Sequence, residues 1–361
     1  MTTSFSSVPI VDLGALKLDG APLSPSEEQR ISTQLYDIFA TTGFAYLINT
    51  PLSFSHDEVF GLAKEFFGLP LEEKMAIAKK TFQPLNANTY RGYFPIQPLA
   101  SSDNLKEGFE MGPTKVSSVV SKITKSSKFD FSEPNVWPSD SSGQTLSSFR
   151  TRMEQLYGEL QALASQLLSL LALSLGKQPD FFAHYLKDSL STLRLLHYPP
   201  AAEFSNCSLT SLDSGVFTSA EELTVKLSCT PHTDSGILTL LHQDAMGGLE
   251  VLNATKQWVP APYVPGSLVV NIGDLMAEVS GGRFIATLHR VRAPPARKDE
   301  DGETMDFGRF SVPFFFEPGE VCLVKSVDEP VEAEGIMYGD HVRAKMKTWV
   351  EFQDLSDYES D

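Results

Sequence analysis

Apolar residues follow two different rhythms along this chain, and the change falls near residue 190. Before it, a helical period dominates. Ile31, Leu35, Ile38 and Phe39 recur at helix spacing behind Ser24-Pro25-Ser26-Glu27, which reads as a capping box with proline at the first helical position. That pattern predicts an amphipathic helix ending near Gly43. Ser55-His56-Asp57-Glu58 repeats the start signal for a helix through Phe67, and Pro70-Leu71-Glu72-Glu73 opens a shorter one. The longest helix is predicted where Leu146, Phe149, Met153, Leu156, Tyr157, Leu160, Leu163, Leu167 and Leu170 keep a 3.6-residue period, with Gly176 at its C-terminal cap. One broad apolar stripe of that length suits a helix lying across a sheet. Its duty is packing.

Short strands at 8–13 and 44–49 interleave with these helices, but from Ser191 onward strands take over. They are predicted at 192–198, 224–227, 238–242, 248–252, 258–259, 267–272, 286–291 and 310–316, punctuated closely by glycine and proline. Such spacing is typical of a sandwich or jelly roll. The fold class expected is mainly β with α decoration. Residues 1–190 form a mixed helical and strand region packed on a β core of residues 191–361, the two making one integrated unit. Stretches 115–133, 203–222 and 296–308, rich in serine or charge, read as loops.

Composition narrows the classes. Of 361 residues, 42% are hydrophobic and 10% aromatic, ample for a packed core. The formal charge of −17 argues against a nucleic-acid or anionic-membrane partner, since both surfaces would repel it. Three scattered cysteines (Cys207, Cys229, Cys322) suit reduced, intracellular thiols better than a disulfide framework. The first residues lack a secretory pattern, and the last carry no peroxisomal or lipidation signal. The apolar stretch 167–175 is too short and serine-interrupted to span a bilayer. A cytosolic protein without an obligate protein partner is expected.

Candidate chemistry gathers around His232, Asp234 and His289. The i, i+2 spacing of His232 and Asp234 places both side chains on one face of an extended segment, in a run joining two apolar strands. An unpaired carboxylate buried there would be costly, and a metal ion removes that cost. Two imidazoles and a carboxylate, completed by His289 from another strand, are the facial set that holds non-haem iron(II) with open positions. On spacing alone, unrelated structural histidines are the competing reading. Arg309 and Ser311 share one face of a very apolar strand, so the guanidinium needs an anionic partner. A ligand carboxylate such as that of 2-oxoglutarate fits the arginine fork, with the serine hydroxyl adding a hydrogen bond. An internal ion pair is the alternative. The Tyr198 hydroxyl is placed to join the same carboxylate, whereas His197 points to the opposite face and reads as structural. His56, His184, His242 and His341 read as surface or core histidines.

Ordered motifs then make the likeness specific. Val8-Pro9-Ile10-Val11-Asp12-Leu13, Gly43-Phe44-Ala45-Tyr46-Leu47-Ile48-Asn49, Phe66-Phe67-Gly68-Leu69-Pro70 and Glu72-Glu73-Lys74 come first. Tyr90-Arg91-Gly92-Tyr93, Lys106-Glu107-Gly108-Phe109-Glu110 and Trp137-Pro138 continue the series. Tyr198-Pro199-Pro200, His232-Thr233-Asp234, Gly247-Gly248-Leu249-Glu250-Val251, Asn271-Ile272-Gly273-Asp274, Leu288-His289-Arg290-Val291 and Arg309-Phe310-Ser311 complete it. Over nearly its whole length the chain resembles iron(II)/2-oxoglutarate-dependent dioxygenases of the isopenicillin N synthase-like branch, which includes many plant and fungal small-molecule oxidases.

The resemblance implies a double-stranded β-helix (a jelly roll, cupin-like) with helical decoration. It implies iron held by His232, Asp234 and His289, and 2-oxoglutarate held by Arg309, Ser311 and Tyr198. It further implies O2 as co-substrate, with oxidative decarboxylation to succinate and CO2 coupled to oxidation of a small molecule. Hydroxylation, desaturation, ring closure and demethylation are all within reach of that chemistry. Phe315, on the Arg309 face, and by family analogy Phe109, Tyr93 and Glu317 are candidate wall residues. Such an aromatic wall suits a largely apolar substrate. Two departures stand out: Leu196 occupies a position where the family often has asparagine, and the segment between Tyr198 and His232 is longer than typical. Two readings therefore stay open beside the main one. One is a 2-oxoglutarate-independent iron oxidase whose substrate carboxylate takes Arg309 and Ser311. The other is a metal-bound but catalytically silent ligand-binding protein on the same scaffold.

Overall fold

The structure is a computed structural model that describes residues 3–96, 105–114, 130–131, 133–139, 146–200, 227–293, 308–330 and 333–346. The sequence-predicted loop 203–222 lies outside the described residues, as do nearly all of 115–133, 224–227 and 296–308.

The helices start where the sequence signals them. In α1 (Pro25–Phe39) the Ser24 side chain accepts from the Glu27 amide, but the Glu27 carboxylate turns to Arg30, so the box is half-formed. In α2 (His56–Phe67) both halves are present: Ser55 Oγ takes the Glu58 amide and Glu58 takes the Ser55 amide. α3 (Leu71–Met75) is short, and α4 (Ser147–Ser174) runs for 28 residues, with Gly176 in the left-handed region at φ 73° just beyond it. By length and composition α4 could cross a membrane, which the shorter stretch 167–175 had not suggested. Inside the fold, 61% of its apolar window is buried. Sequence reading missed α5 (Asp274–Val279) and α6 (Tyr338–Met346).

Strands β1 (Ile10–Asp12), β2 (Phe44–Ile48), β3 (Gly92–Phe94), β4 (Glu107–Met111), β5 (Thr192–Tyr198), β7 (Leu238–Gln243), β10 (Leu268–Ile272) and β12 (Arg309–Phe316) build an eight-stranded sheet in the order β1-β2-β10-β7-β12-β5-β4-β3. Residues from both sides of position 190 thus share one sheet. A four-stranded sheet, β6-β11-β8-β9, is formed by β6 (Leu227–His232), β8 (Leu249–Leu252), β9 (Trp258–Pro260) and β11 (His289–Arg292). A two-stranded ribbon of β13 (Leu323–Val324) and β14 (Ile336–Met337) follows. The two main sheets make the jelly roll that the strand pattern predicts, the double-stranded β-helix that the resemblance implies.

The period-2 rule decides what each face of the large sheet does. On β12, Phe310, Val312, Phe314 and Phe316 point to the helical side, where Phe310 meets Phe67 of α2 and Phe314 packs edge-on against Tyr157 of α4 at 5.4 Å between centroids. Arg309, Ser311, Pro313 and Phe315 alternate with them and line a cavity on the other side. β5 behaves alike: Leu193 and Leu195 join the core, while Thr192, Arg194, Leu196 and Tyr198 line the cavity. Helices α2 and α4 therefore cover the back of the sheet and leave its front for the site.

Candidate active site

The cavity lies between the two main sheets and encloses about 630 Å³, within the roughly 300–1,000 Å³ range of small-molecule sites. Antiparallel pairing sets its centre. β6 and β11 place His232 directly opposite His289, and Asp234 follows two residues after β6 ends at His232. The two imidazole centroids are 4.2 Å apart, and each Nε2 is 3.8 Å from Asp234 Oδ1. One ligand atom from each residue falls within 4.8 Å of the others.

The donor set is oriented for a cation. His232 Nδ1 lies 2.8 Å from the Thr230 carbonyl and His289 Nδ1 lies 3.1 Å from the Thr287 carbonyl. A carbonyl only accepts, so each Nδ1 carries a proton and each Nε2 is turned toward Asp234. On Asp234 the division is equally clean. Oδ2 accepts from Thr239 Oγ1 at 2.5 Å and Asn271 Nδ2 at 2.7 Å, which leaves Oδ1 toward the imidazoles. Thr239 and Asn271 are register partners on β7 and β10, so one sheet presents both donors side by side. The turn after Asp234 is pinned as well: Asp274 N donates to the Asp234 carbonyl at 2.7 Å. A side chain at Gly273 would collide with the Gly236 carbonyl, so that approach needs glycine.

Burial raises the Asp234 carboxyl, but His289 and His232 together with the Thr239 and Asn271 bonds hold it below its ordinary range. Burial and the neighbouring His232 push His289 down to about 4. Burial also works against a proton on His232, yet Cys229 and Asp234 bring it up to about 9. Two imidazoles this close do not both protonate, so one titrates high and the other low. A divalent ion at the same point satisfies both as neutral ligands.

Arg309 supplies the second feature. It is 1% exposed, its Nε donates to the Gly247 carbonyl at 2.6 Å, and its side chain also meets the Tyr198 side chain. No carboxylate pairs with it among the described residues, so the internal ion pair weighed from sequence is not formed there. Its guanidinium carbon sits 5.0 Å from the Tyr198 ring centroid, its register partner on β5. Gly308, at φ 75°, passes against the Tyr198 carbonyl, where any side chain would clash. Ser311 and Leu196 oppose each other on the same wall. A buried fork with no carboxylate partner fits a planar carboxylate.

Of the four wall candidates, Phe315 and Glu317 line the cavity; Tyr93 and Phe109 do not. Register is the reason. Phe109 pairs with Leu195 and Tyr93 with Phe109, which sends both to the helical face with Phe66. There Tyr93 donates its hydroxyl to Glu107 at 2.6 Å. Sequence reasoning missed Thr239, Asn271, Arg194, Tyr90 and Lys106. For the first two the available signal was a polar residue inside an apolar strand. The wall is consequently more polar than expected: Arg194, Glu317, Lys106 and Lys345 all border it. Burial pushes the Glu317 carboxyl up to about 7, against the Tyr338 hydrogen bond and the charges of Arg91 and Arg194.

Comparison with known proteins agrees with this geometry. Residues 189–318 match the family model of the 2OG-Fe(II) oxygenase superfamily, and residues 8–140 match that of the non-haem dioxygenase in morphine synthesis N-terminal region. Proline hydroxylase buaE of Petromyces alliaceus is 31% identical over 343 residues, covering 90% of this chain and 92% of its own. A full-length Neurospora crassa protein, solved with alpha-KG (2-oxoglutarate) and 5-formyluracil, is 25% identical at a TM-score of 0.70, covering 96% of this chain and 98% of that one. A 2OG-Fe(II) oxygenase family protein from Caulobacter crescentus is 27% identical at a TM-score of 0.69, covering 96% and 100%.

Proposed function

The chain belongs to the 2OG-Fe(II) oxygenase superfamily, and from that premise we propose that it oxidises a small molecule in the cavity between its two main sheets. It is an oxidoreductase whose cofactor is Fe(II) and whose co-substrates are 2-oxoglutarate and O2. His232 Nε2, Asp234 Oδ1 and His289 Nε2 hold the iron. Arg309 would clamp the distal carboxylate of 2-oxoglutarate with its Nη groups, Ser311 would add a hydroxyl, and Tyr198 flanks the guanidinium. Bound iron supplies the coupling of O2 reduction and 2-oxoglutarate decarboxylation to oxidation of a substrate C–H bond, by hydroxylation, desaturation or ring formation.

The chain's own residues do the rest. Thr239 and Asn271 hold Asp234 so that a single oxygen faces the ion, and the Thr230 and Thr287 carbonyls fix both imidazole tautomers. Leu196, Leu241, Leu249, Leu288 and Val291 are the apolar part of the lining and would help to keep water from the substrate. The observation that carries the reading is an oriented His-Asp-His set and, in the same cavity, a buried Arg309 with no carboxylate partner among the described residues.

Succinate formation tests it. Purified protein with Fe(II), O2 and 2-oxoglutarate is expected to release succinate, faster in the presence of an oxidisable small molecule, and to stop when a chelator removes the metal. Succinate release unaffected by the chelator would contradict the assignment.

A further inference from the structure

Glu317 has an unfinished hydrogen-bond inventory at the edge of this cavity. It is 6% exposed, follows β12 directly and lines the same space as Arg309, Ser311 and Phe315. Its amide donates to Ser191 Oγ, and the Tyr338 hydroxyl donates to its carboxyl group. Beyond that one bond, no hydrogen bond to the carboxyl group is found among the described residues. A carboxylate accepts from several donors, and acceptor capacity left unmet in a buried site is costly.

Nearby cations do not fill that gap. Arg194 pairs with Glu110 and lies over the Phe315 ring at 5.3 Å, while Arg91 gives Nη1 to Thr192 Oγ1 at 2.9 Å. Lys79 pairs with Glu110 as well. None of these ion pairs reaches Glu317 among the described residues. The Glu317 carboxyl group therefore keeps acceptor capacity beside the space where a small molecule sits, and the donor Arg194, paired with Glu110, borders the same wall. An acceptor beside a donor reads a group that offers an N–H next to an oxygen. A hydroxyl rotates to satisfy either neighbour and is read poorly, whereas an N–H has a fixed direction.

We propose that Glu317 determines specificity by accepting a hydrogen bond from the substrate, and that the substrate is a small molecule carrying an N–H beside a carbonyl or carboxylate oxygen. The inference rests on the oxygenase reading above and deepens it. It replaces the largely apolar substrate expected from sequence, because four charged side chains border the cavity besides Asp234 and Arg309. Both an amino acid and a neutral cyclic amide carry the required grouping.

Matched probes separate them. The anaerobic protein is loaded with Fe(II) and 2-oxoglutarate, and its visible absorption band is followed while one compound is added. L-proline is compared with cyclopentanecarboxylate, and thymine with its di-N-methylated form; each second member keeps the oxygens but lacks the N–H. At least one N–H compound is expected to shift the band saturably and to bind about tenfold or more tightly than its match. In Glu317→Met that preference disappears with the starting band intact, and Glu317→Gln, which keeps an acceptor oxygen, falls between. A response from the proline pair assigns an amino acid, and one from the thymine pair a cyclic amide. Equal binding within both pairs, a preference that survives Glu317→Met, or no response to either N–H compound overturns the proposal. A failure of the oxygenase reading looks different: the band never forms before any probe is added, and the proposal falls with it.

Discussion

Asp234→Ala is expected to abolish iron-dependent succinate formation while leaving the circular-dichroism spectrum unchanged. Asp234 is the single carboxylate in the metal set, and Oδ1 is the atom both Nε2 groups face. Without it, two neutral imidazoles remain, a weak and neutral pair for a hard divalent ion. Loss of a supporting hydrogen bond around a metal typically costs about 10–100-fold in affinity or activity, so removing a ligand should exceed that range. The fold has little reason to fail. Asp234 sits in a turn beyond β6, and its backbone carbonyl, which takes the Asp274 amide, is kept. Thr239 and Asn271 lose an acceptor, about 1–3 kcal/mol for a buried unmet donor, which a domain of this size tolerates. Wild-type turnover in this variant would contradict the metal assignment.

Arg309→Leu carries the second large effect. The 2-oxoglutarate concentration needed for half-maximal turnover is expected to rise by roughly 30-fold or more, equivalent to about 2 kcal/mol. Leucine fills part of the space and removes both Nη donors. It also frees the Gly247 carbonyl that Arg309 Nε occupies. The measurement is a 2-oxoglutarate titration of succinate release at fixed Fe(II). An unchanged 2-oxoglutarate requirement would instead favour the reading in which Arg309 and Ser311 bind a carboxylate of the substrate.

What was legible in the sequence depended on how local its physical cause was. β5 was readable to the residue because Leu193 and Leu195 alternate with Thr192 and Arg194 in one continuous run. α4 was readable from its stripe. The metal set was readable because i, i+2 spacing in an extended segment already fixes a shared side. β3 and β4 were hidden, since Glu107, Gly108 and Glu110 do not look like strand residues. Burial there depends on Lys74 and Lys79, which reach across from elsewhere to neutralise Glu107 and Glu110. Tyr93 and Phe109 were misplaced for the same reason: which face they take follows from pairing with β5, a non-local fact. Strand 286–291 was predicted to begin too early, as regular pairing begins only at His289. Thr239 and Asn271 were visible as polar residues in apolar strands, but their common target needed the register of β7 against β10.

The most direct test of the central claim is an anaerobic titration of the metal-free protein with Fe(II) and then 2-oxoglutarate. Joint binding at His232, Asp234, His289 and Arg309 should give a saturable visible iron-to-keto-acid charge-transfer band that is lost in His232→Ala. Tight iron binding without the band would contradict the 2-oxoglutarate site, and absence of iron binding would contradict the oxygenase itself.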